Sequence, residues 1–333
     1  MLASRRLRLD GDGVGAGRGE RLGTFLHTFG TVLVAVALAV IFGLLSPDFL
    51  SSSNIDNILM QISVVGTVAI GETIVMLLGG IDLSVGSVVL LSASVIGVLS
   101  ATHGLTDWIA IPLGLAAATG VGLLNGIFVV GVGIEPIIVT LGTLVAVQGL
   151  GQMLLAANGS WIQVNDPLFL NIATGRVAAV PVMAVIMLAL YAAGAIMLRR
   201  TPFGRAIYAA GGNRRAARLA GLPVGRTMLV AYALSGLCAG AAGVLEIAQL
   251  GIVSQNVGVG LQFSAITAVL VGGLGLAGGQ GRLEKTLLGT LIVGAITNYL
   301  TFRGVSAYYE QAITGLILLA AVFADHLARR RSE

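Results

Sequence analysis

The chain has 333 residues, 56% of them hydrophobic and 10% charged, with a formal net charge of +4 and a mean hydropathy of +0.96. Soluble domains carry about 25% charged residues, so this chain lacks the charge to cover a globular surface and reads as an all-α polytopic membrane protein. Its single cysteine, Cys238, excludes an intrachain disulfide and a cysteine-built metal site.

Residues 1–22 are rich in Arg and Gly and are expected to be disordered. The apolar run 25–45 is too long for the hydrophobic part of a signal peptide and has no small-residue cleavage pattern. It is the first of about ten expected spans. The others are 58–78, 83–101, 108–130, 137–157, 177–198, 228–250, 261–276, 286–302 and 309–327. With ten spans, 17 of the 19 Lys and Arg fall on the side of the two termini and the loop 199–226; only Arg176 and Arg303 fall on the other. The positive-inside rule then makes both termini cytoplasmic. The basic residues sit in short segments between apolar runs, which is the pattern of membrane topology and not of a nucleic-acid face.

The second and third spans are joined by Gly79, Gly80, Asp82 and Gly86 in LGGIDLSVGSVVLLSASVIG. Glycines let the backbone leave the helical region, and Asp82 can then accept from N–H groups near Ser84 and Val85 and cap the next helix. Two readings follow: a loop at the membrane edge, or a broken helix inside the protein, which is tolerated only where it is buried or lines a wet path. A Gly-rich stretch at 272–281 is a second candidate for a re-entrant segment.

Ionisable residues within spans cost at least ~2.5 kcal/mol at mid-helix. Glu72, Asp82 and Glu246 are therefore candidates for an inward face, unless each lies near enough to an edge to reach water. Gln61, Asn125, Gln148, Gln152 and Gln249 add neutral amides, either hydrogen-bonding between helices or lining a path suited to a neutral polyol. Signatures of hydrolases and metalloproteases are missing. No phosphate-cradling loop exists either, because Lys285-Thr286 follows Glu284 instead of a glycine, so any ATP use must come from another chain.

The loop 199–226 reads RRTPFGRAIYAAGGNRRAARLAGLPVGR. Asn213 is a candidate N-cap for a short helix over 214–220, ended by Gly221 and Pro223. Such a helix fits a groove on a partner, or rests on anionic lipid.

Three segments together carry a family resemblance. GGIDLSVGS at 79–87, TPFGRAIYAAGGNRRAARLAG at 201–221, and AVLVGGLGLAGGQG at 268–281 with LLGTLIVGAITNYL after it resemble permease subunits of ABC importers for monosaccharides of the ribose, xylose and arabinose type. LLNG at 123–126 and PIIVTLGTLVAVQGL at 136–150 fit as well, and the likeness covers roughly residues 45–325. The apolar runs and charge distribution place a transmembrane domain over 23–328 and a short cytoplasmic tail at 329–333, and the resemblance implies a location in the bacterial inner membrane. It implies three protein partners: an ABC ATPase, a periplasmic substrate-binding protein and a second permease copy or sister subunit. ATP and Mg would belong to the ATPase, with no cofactor in this chain. By the same likeness Arg205, Gly211, Gly212, Asn213, Ala217 and Gly221 contact the ATPase, while Gln61, Glu72, Asp82, Asn125, Gln148, Gln152 and Glu246 are candidates for the translocation path because they are polar groups in or between spans. The sequence departs from the family pattern at Arg214 and Arg215, where Pro and Glu are more usual, and at Glu72. Three alternatives stay open: a proton-coupled transporter using Glu72, an ABC permease for a nucleoside or branched-chain amino acid, and a receptor-like protein binding through 158–176.

Overall fold

The structure, a computed structural model, describes the backbone of residues 18–330 and the side chains of 30–327 other than residue 307. The expected disordered segment lies outside the described residues over 1–17, as do the last three residues of the expected tail.

The described chain is mostly helical, with thirteen α-helices and four short strands. In order these are α1 (Arg18–Leu45), α2 (Ser52–Leu77), α3 (Val85–Gly97), α4 (Asp107–Ile127), α5 (Pro136–Ala156), β1 (Trp161–Gln163), α6 (Pro167–Thr174), β2 (Arg176–Val177), β3 (Val180–Pro181), α7 (Val182–Arg200), α8 (Pro202–Gly212), α9 (Arg214–Leu219), α10 (Val224–Leu250), β4 (Ile252–Ser254), α11 (Leu261–Val271), α12 (Leu283–Phe302) and α13 (Ala307–Arg330). Wide-turn segments extend α3 to Thr102 and α4 to Val132. The strands pair locally: β1 runs antiparallel to β4, and β2 to β3.

Every expected apolar run contains a helix, but among the described residues seven helices, and not ten, are long and apolar enough to cross a membrane. They are α2, extended α3, extended α4, α5, α7, α10 and α13. The described apolar part of α1, Gly30–Leu45, is shorter, and α12 carries Lys285 and Asn298 within its run. The eighth expected span shortens to α11, because Gly272 and Gly273 (φ +88°) end the helix at Val271. Eleven residues rise only about 16 Å, half of a ~30 Å hydrocarbon layer. The sixth span starts at Val182 and not at 177, because β2 and β3 form a tight hairpin around Ala178 (φ 55°).

Long α10 is the centre of the bundle, packed on α2, α3 and α4. Small residues allow this: a Cβ on Gly122 of α4 would lie 2.2 Å from the Tyr232 carbonyl, and one on Gly236 of α10 would lie 2.4 Å from the Ala118 carbonyl. Such close backbone approach is how helices associate where lipid removes any hydrophobic gain from burial. α2 and α3 are the most enclosed spans, and α5 and α13 face outward along most of their length. The break between α2 and α3 is therefore enclosed by the bundle on most sides.

Candidate functional site

α2 ends in a Schellman motif. Gly80 N–H donates to the Val75 carbonyl at 3.1 Å and Gly79 N–H to the Met76 carbonyl at 2.9 Å. Gly79 sits at φ +71°, a conformation that disfavours any other residue. The chain then turns inward. Gly80, Asp82 and Ser84 are buried while Gly79 is exposed and Ile81 and Leu83 are half-buried, so the polar part of the break points inward. Asp82 accepts through Oδ1 from Ser84 N–H at 3.1 Å and from Ser84 Oγ at 2.6 Å, a side-chain turn that leads into α3. The N-cap itself is Ser84, without a side-chain cap bond, so Asp82 fixes the approach to the helix and is not the cap that the sequence suggested. Its Oδ2 accepts from Ser235 Oγ of α10 at 2.8 Å, a partner hidden in the sequence because a lone serine in a span reads as a small packing residue.

Glu72 meets this turn directly. Its Oε1 accepts from Asp82 N–H at 3.2 Å. Asn125 of α4 donates to Ser84 Oγ at 2.9 Å. Four elements (α2, the break, α4 and α10) thus share one buried polar network. Among the described residues no Lys or Arg pairs with either carboxylate. Glu72 Oε2, the Asn125 amide oxygen and the Tyr232 hydroxyl are buried without a hydrogen-bond partner. Unsatisfied buried groups of this kind cost about 1–3 kcal/mol each, and these three lie where the helix is broken.

The segment 199–226 lies against the same break. It holds two helices where the sequence suggested one. α8 was announced by Thr201-Pro202: Thr201 caps it by accepting from Gly204 N–H at 3.2 Å, with Pro202 in the first turn. α9 is capped as expected by Asn213, which accepts from Ala216 N–H at 2.9 Å, and Gly221 follows it at φ +80°. A Cβ on Gly211 would lie 1.9 Å from the Leu77 carbonyl at the end of α2, and one on Gly279 would lie 2.6 Å from Gly212 Cα. Gly279 N–H donates to that same Leu77 carbonyl at 2.8 Å. Three glycine turns, from the break, from α8–α9 and from the loop 272–281, therefore stack backbone to backbone. Arg214 Nη2 donates to the Leu78 carbonyl at 2.9 Å, and Tyr208 Oη donates to the Gly281 carbonyl at 3.1 Å. Burial, with Glu284 nearby, raises the Tyr208 phenol above its ordinary pKa, so it remains a donor.

The other sequence candidates separate into groups. Gln61 and Glu246 line one cleft of about 210 Å³ between α2, α10, α11 and α12. Glu72, Asp82 and Asn125 belong to the closed network and line neither that cleft nor the larger, mostly apolar one of about 830 Å³ between α11 and α13. Gln148 and Gln152 are half-buried on α5 and line neither. On α8 and α9, Arg205, Gly212, Asn213 and Gly221 are exposed, Gly211 is half-buried, and Ala217 faces inward at 5% exposure.

A membrane-embedded helical bundle, a buried broken helix and a two-helix segment seated on that break define a permease core. The chain belongs to the family described as branched-chain amino acid transport system / permease component, which matches residues 54–322. It is 36% identical over 310 residues to the ribose import permease protein of Haemophilus influenzae, covering 92% of this chain and 95% of that one. It is 34% identical over 325 residues to the ribose import permease protein of Bacillus subtilis, covering 98% and 97%. It is 35% identical over 305 residues to the D-allose transport system permease protein of Escherichia coli, covering 91% and 93%. No solved structure matches the chain significantly. The chain is a permease subunit and not itself an enzyme.

Proposed function

We propose that this chain is the membrane subunit of an ATP-driven importer that carries a monosaccharide or similar polyol across the bacterial inner membrane. An ABC ATPase docks on α8 and α9, a periplasmic binding protein delivers the solute, and a second permease subunit completes the pore. ATP and Mg stay on the ATPase. The observation that carries this reading is the seating of α8–α9 on the α2–α3 break through Gly211, Arg214 and Gly279. Through these contacts a movement of the docking helices is passed to the end of α2.

The outward face of α9 suits a protein groove. Arg215 and Arg218 are exposed beside Leu219, which is 84% exposed, so an apolar knob is flanked by cations. An ATPase groove with an apolar socket and acidic rim is the matching surface. Nucleotide binding in the partner favours one arrangement of the docking helices, and the spans follow by population shift.

The family description favours a second reading, an amino-acid solute. An uptake panel separates the two. In vesicles holding the permease with its ATPase and binding protein, ATP should drive entry of a sugar and not of leucine. A Gly212→Pro variant should insert normally and fail to transport, because proline at the end of α8 disturbs the turn into α9. Leucine uptake, or normal sugar uptake by Gly212→Pro, contradicts the reading.

A further inference from the structure

At the end of α2 farthest from the docking helices the bundle opens into a second small cleft of about 180 Å³. Leu77 touches the docking segment at one end of α2, and Asn54, Asn57 and Gln61 stand on its first turns at the other. At 1.5 Å per residue they lie about 25–35 Å from that contact, so the cleft opens at the opposite face. Opposite α2, Asn298, Thr301 and Phe302 of α12 and Gln249 of α10 complete its walls.

The chemistry of the walls is uniform. Among the lining residues are four primary amides besides Asn54, one hydroxyl, one aromatic ring and one methionine, and none is charged. Gln61 carries a buried amide oxygen with no partner. Asn54 uses its Nδ2 to fix the wall, donating to the Phe49 carbonyl at 2.8 Å and to Asn298 Oδ1 at 3.0 Å. That locks Asn298, 3% exposed, with its amide nitrogen left for the cleft. Phe302 is braced by Phe49, the two ring centroids being 6.2 Å apart and near-perpendicular, and Phe49 packs edge-on against the stacked pair Phe42–Tyr299. Amides that donate and accept satisfy hydroxyls in both directions, while an aromatic face takes the C–H side of a ring. An amino acid would need counter-charges for its ammonium and carboxylate, and the cleft offers none. Gln61 and Gln249 also line the neighbouring cleft, whose walls are half apolar and carry Glu246, Ser264 and Thr297.

We infer that this cleft is a polyol subsite within the permease itself, taking one neutral monosaccharide-sized solute between α2, α10 and α12. The inference rests on the import reading above and adds a place where the permease holds the solute after delivery.

The test uses the complete assembly in proteoliposomes, with D-ribose, D-allose and L-arabinose as probes, and the double variant Asn57→Leu with Gln249→Leu. Both residues are exposed and neither belongs to the Asn54–Asn298 wall, so folding is spared. Removing two amide partners should lower the solute moved per ATP hydrolysed by about tenfold, with ATPase docking and ATP turnover retained. Asn57→Gln with wild-type Gln249 should keep most of the transport. Wild-type transport per ATP in the double variant overturns the subsite while leaving the import reading intact. Failure of the unaltered assembly to move any of the three sugars overturns the import reading, and the subsite with it.

Discussion

Arg214, the first residue of α9, donates to the carbonyl of Leu78, the C-cap of α2, across 2.9 Å. A cation is unfavourable at the start of its own helix and favourable at the end of another. Arg214 breaks the first rule and obeys the second. Its position is explained by the contact between elements and not by α9 alone. From Leu78 the path to the buried carboxylates is short: Gly79 and Gly80 turn the chain, and Asp82 follows with its N–H on Glu72.

Replacing Arg214 with Ala should uncouple transport from hydrolysis. A hydrogen bond from a charged group contributes about 1.5–3 kcal/mol, enough to loosen the link without unfolding a bundle of this size. The measurement is solute moved per ATP, expected to fall several-fold with ATPase binding unchanged. Arg214→Lys, which keeps a donor, should recover part of it. An unchanged ratio in Arg214→Ala removes Arg214 from the linkage.

Two adjacent glycines should respond oppositely to alanine. At Gly211 the added methyl meets the Leu77 carbonyl at 1.9 Å, whereas at Gly212 nothing lies within 4 Å. Gly211→Ala must shift backbone on one side or the other, at about 1–3 kcal/mol or more. Thermal unfolding in detergent and uptake should both suffer in Gly211→Ala and stay near wild type in Gly212→Ala. Equal behaviour of the pair would show that the stack yields freely.

The polar network makes its own prediction. Asp82→Ala leaves Ser84 and Ser235 without their acceptor and should lower the unfolding free energy by about 1–3 kcal/mol. Glu72→Gln keeps an acceptor for Asp82 N–H and should be far milder than Glu72→Ala. A severe Glu72→Gln phenotype in uptake with normal thermal stability would assign the charge of Glu72 a role in transport itself.

On the opposite face, Arg176 forms an ion pair with Asp56 that ties the β2 strand to α2. With the Arg176 side chain 51% exposed, the pair is worth about 0–1 kcal/mol. A double-mutant cycle on Arg176→Ala and Asp56→Ala should give a coupling energy in that range, falling with salt.

Much of this was legible in the sequence, for reasons that differ by element. The glycines at 79–80 announced a helix end and Asp82 a side-chain turn after it, because both signals are local backbone chemistry, although the N-cap of α3 proved to be Ser84. Asn213 and Gly221 bounded α9 for the same reason. Thr201-Pro202 carried an equally local signal for α8 that an open-loop reading of 199–226 passed over. Span count was less secure, since α11 is apolar enough to span and is cut short by Gly272 and Gly273. What no local rule could give is the meeting of distant segments. Ser235 and Glu72 converge on Asp82 from two helices, and Gly211 and Gly279 converge on Leu77 from two loops. Glu72 and Asp82 were grouped with Gln61 and Glu246 because all are polar within spans. Packing separates them into a closed network near the docking face and residues lining small clefts toward the far one.

The central claim is that force applied at α8–α9 by a nucleotide-driven partner moves solute through this chain. Proteoliposomes holding the permease, its ATPase and its binding protein test it most directly, with ATP or a proton gradient supplied one at a time. Sugar should enter with ATP alone and stop when Mg is withheld. Entry driven by the proton gradient without ATP, or by the permease without its ATPase, would contradict the account.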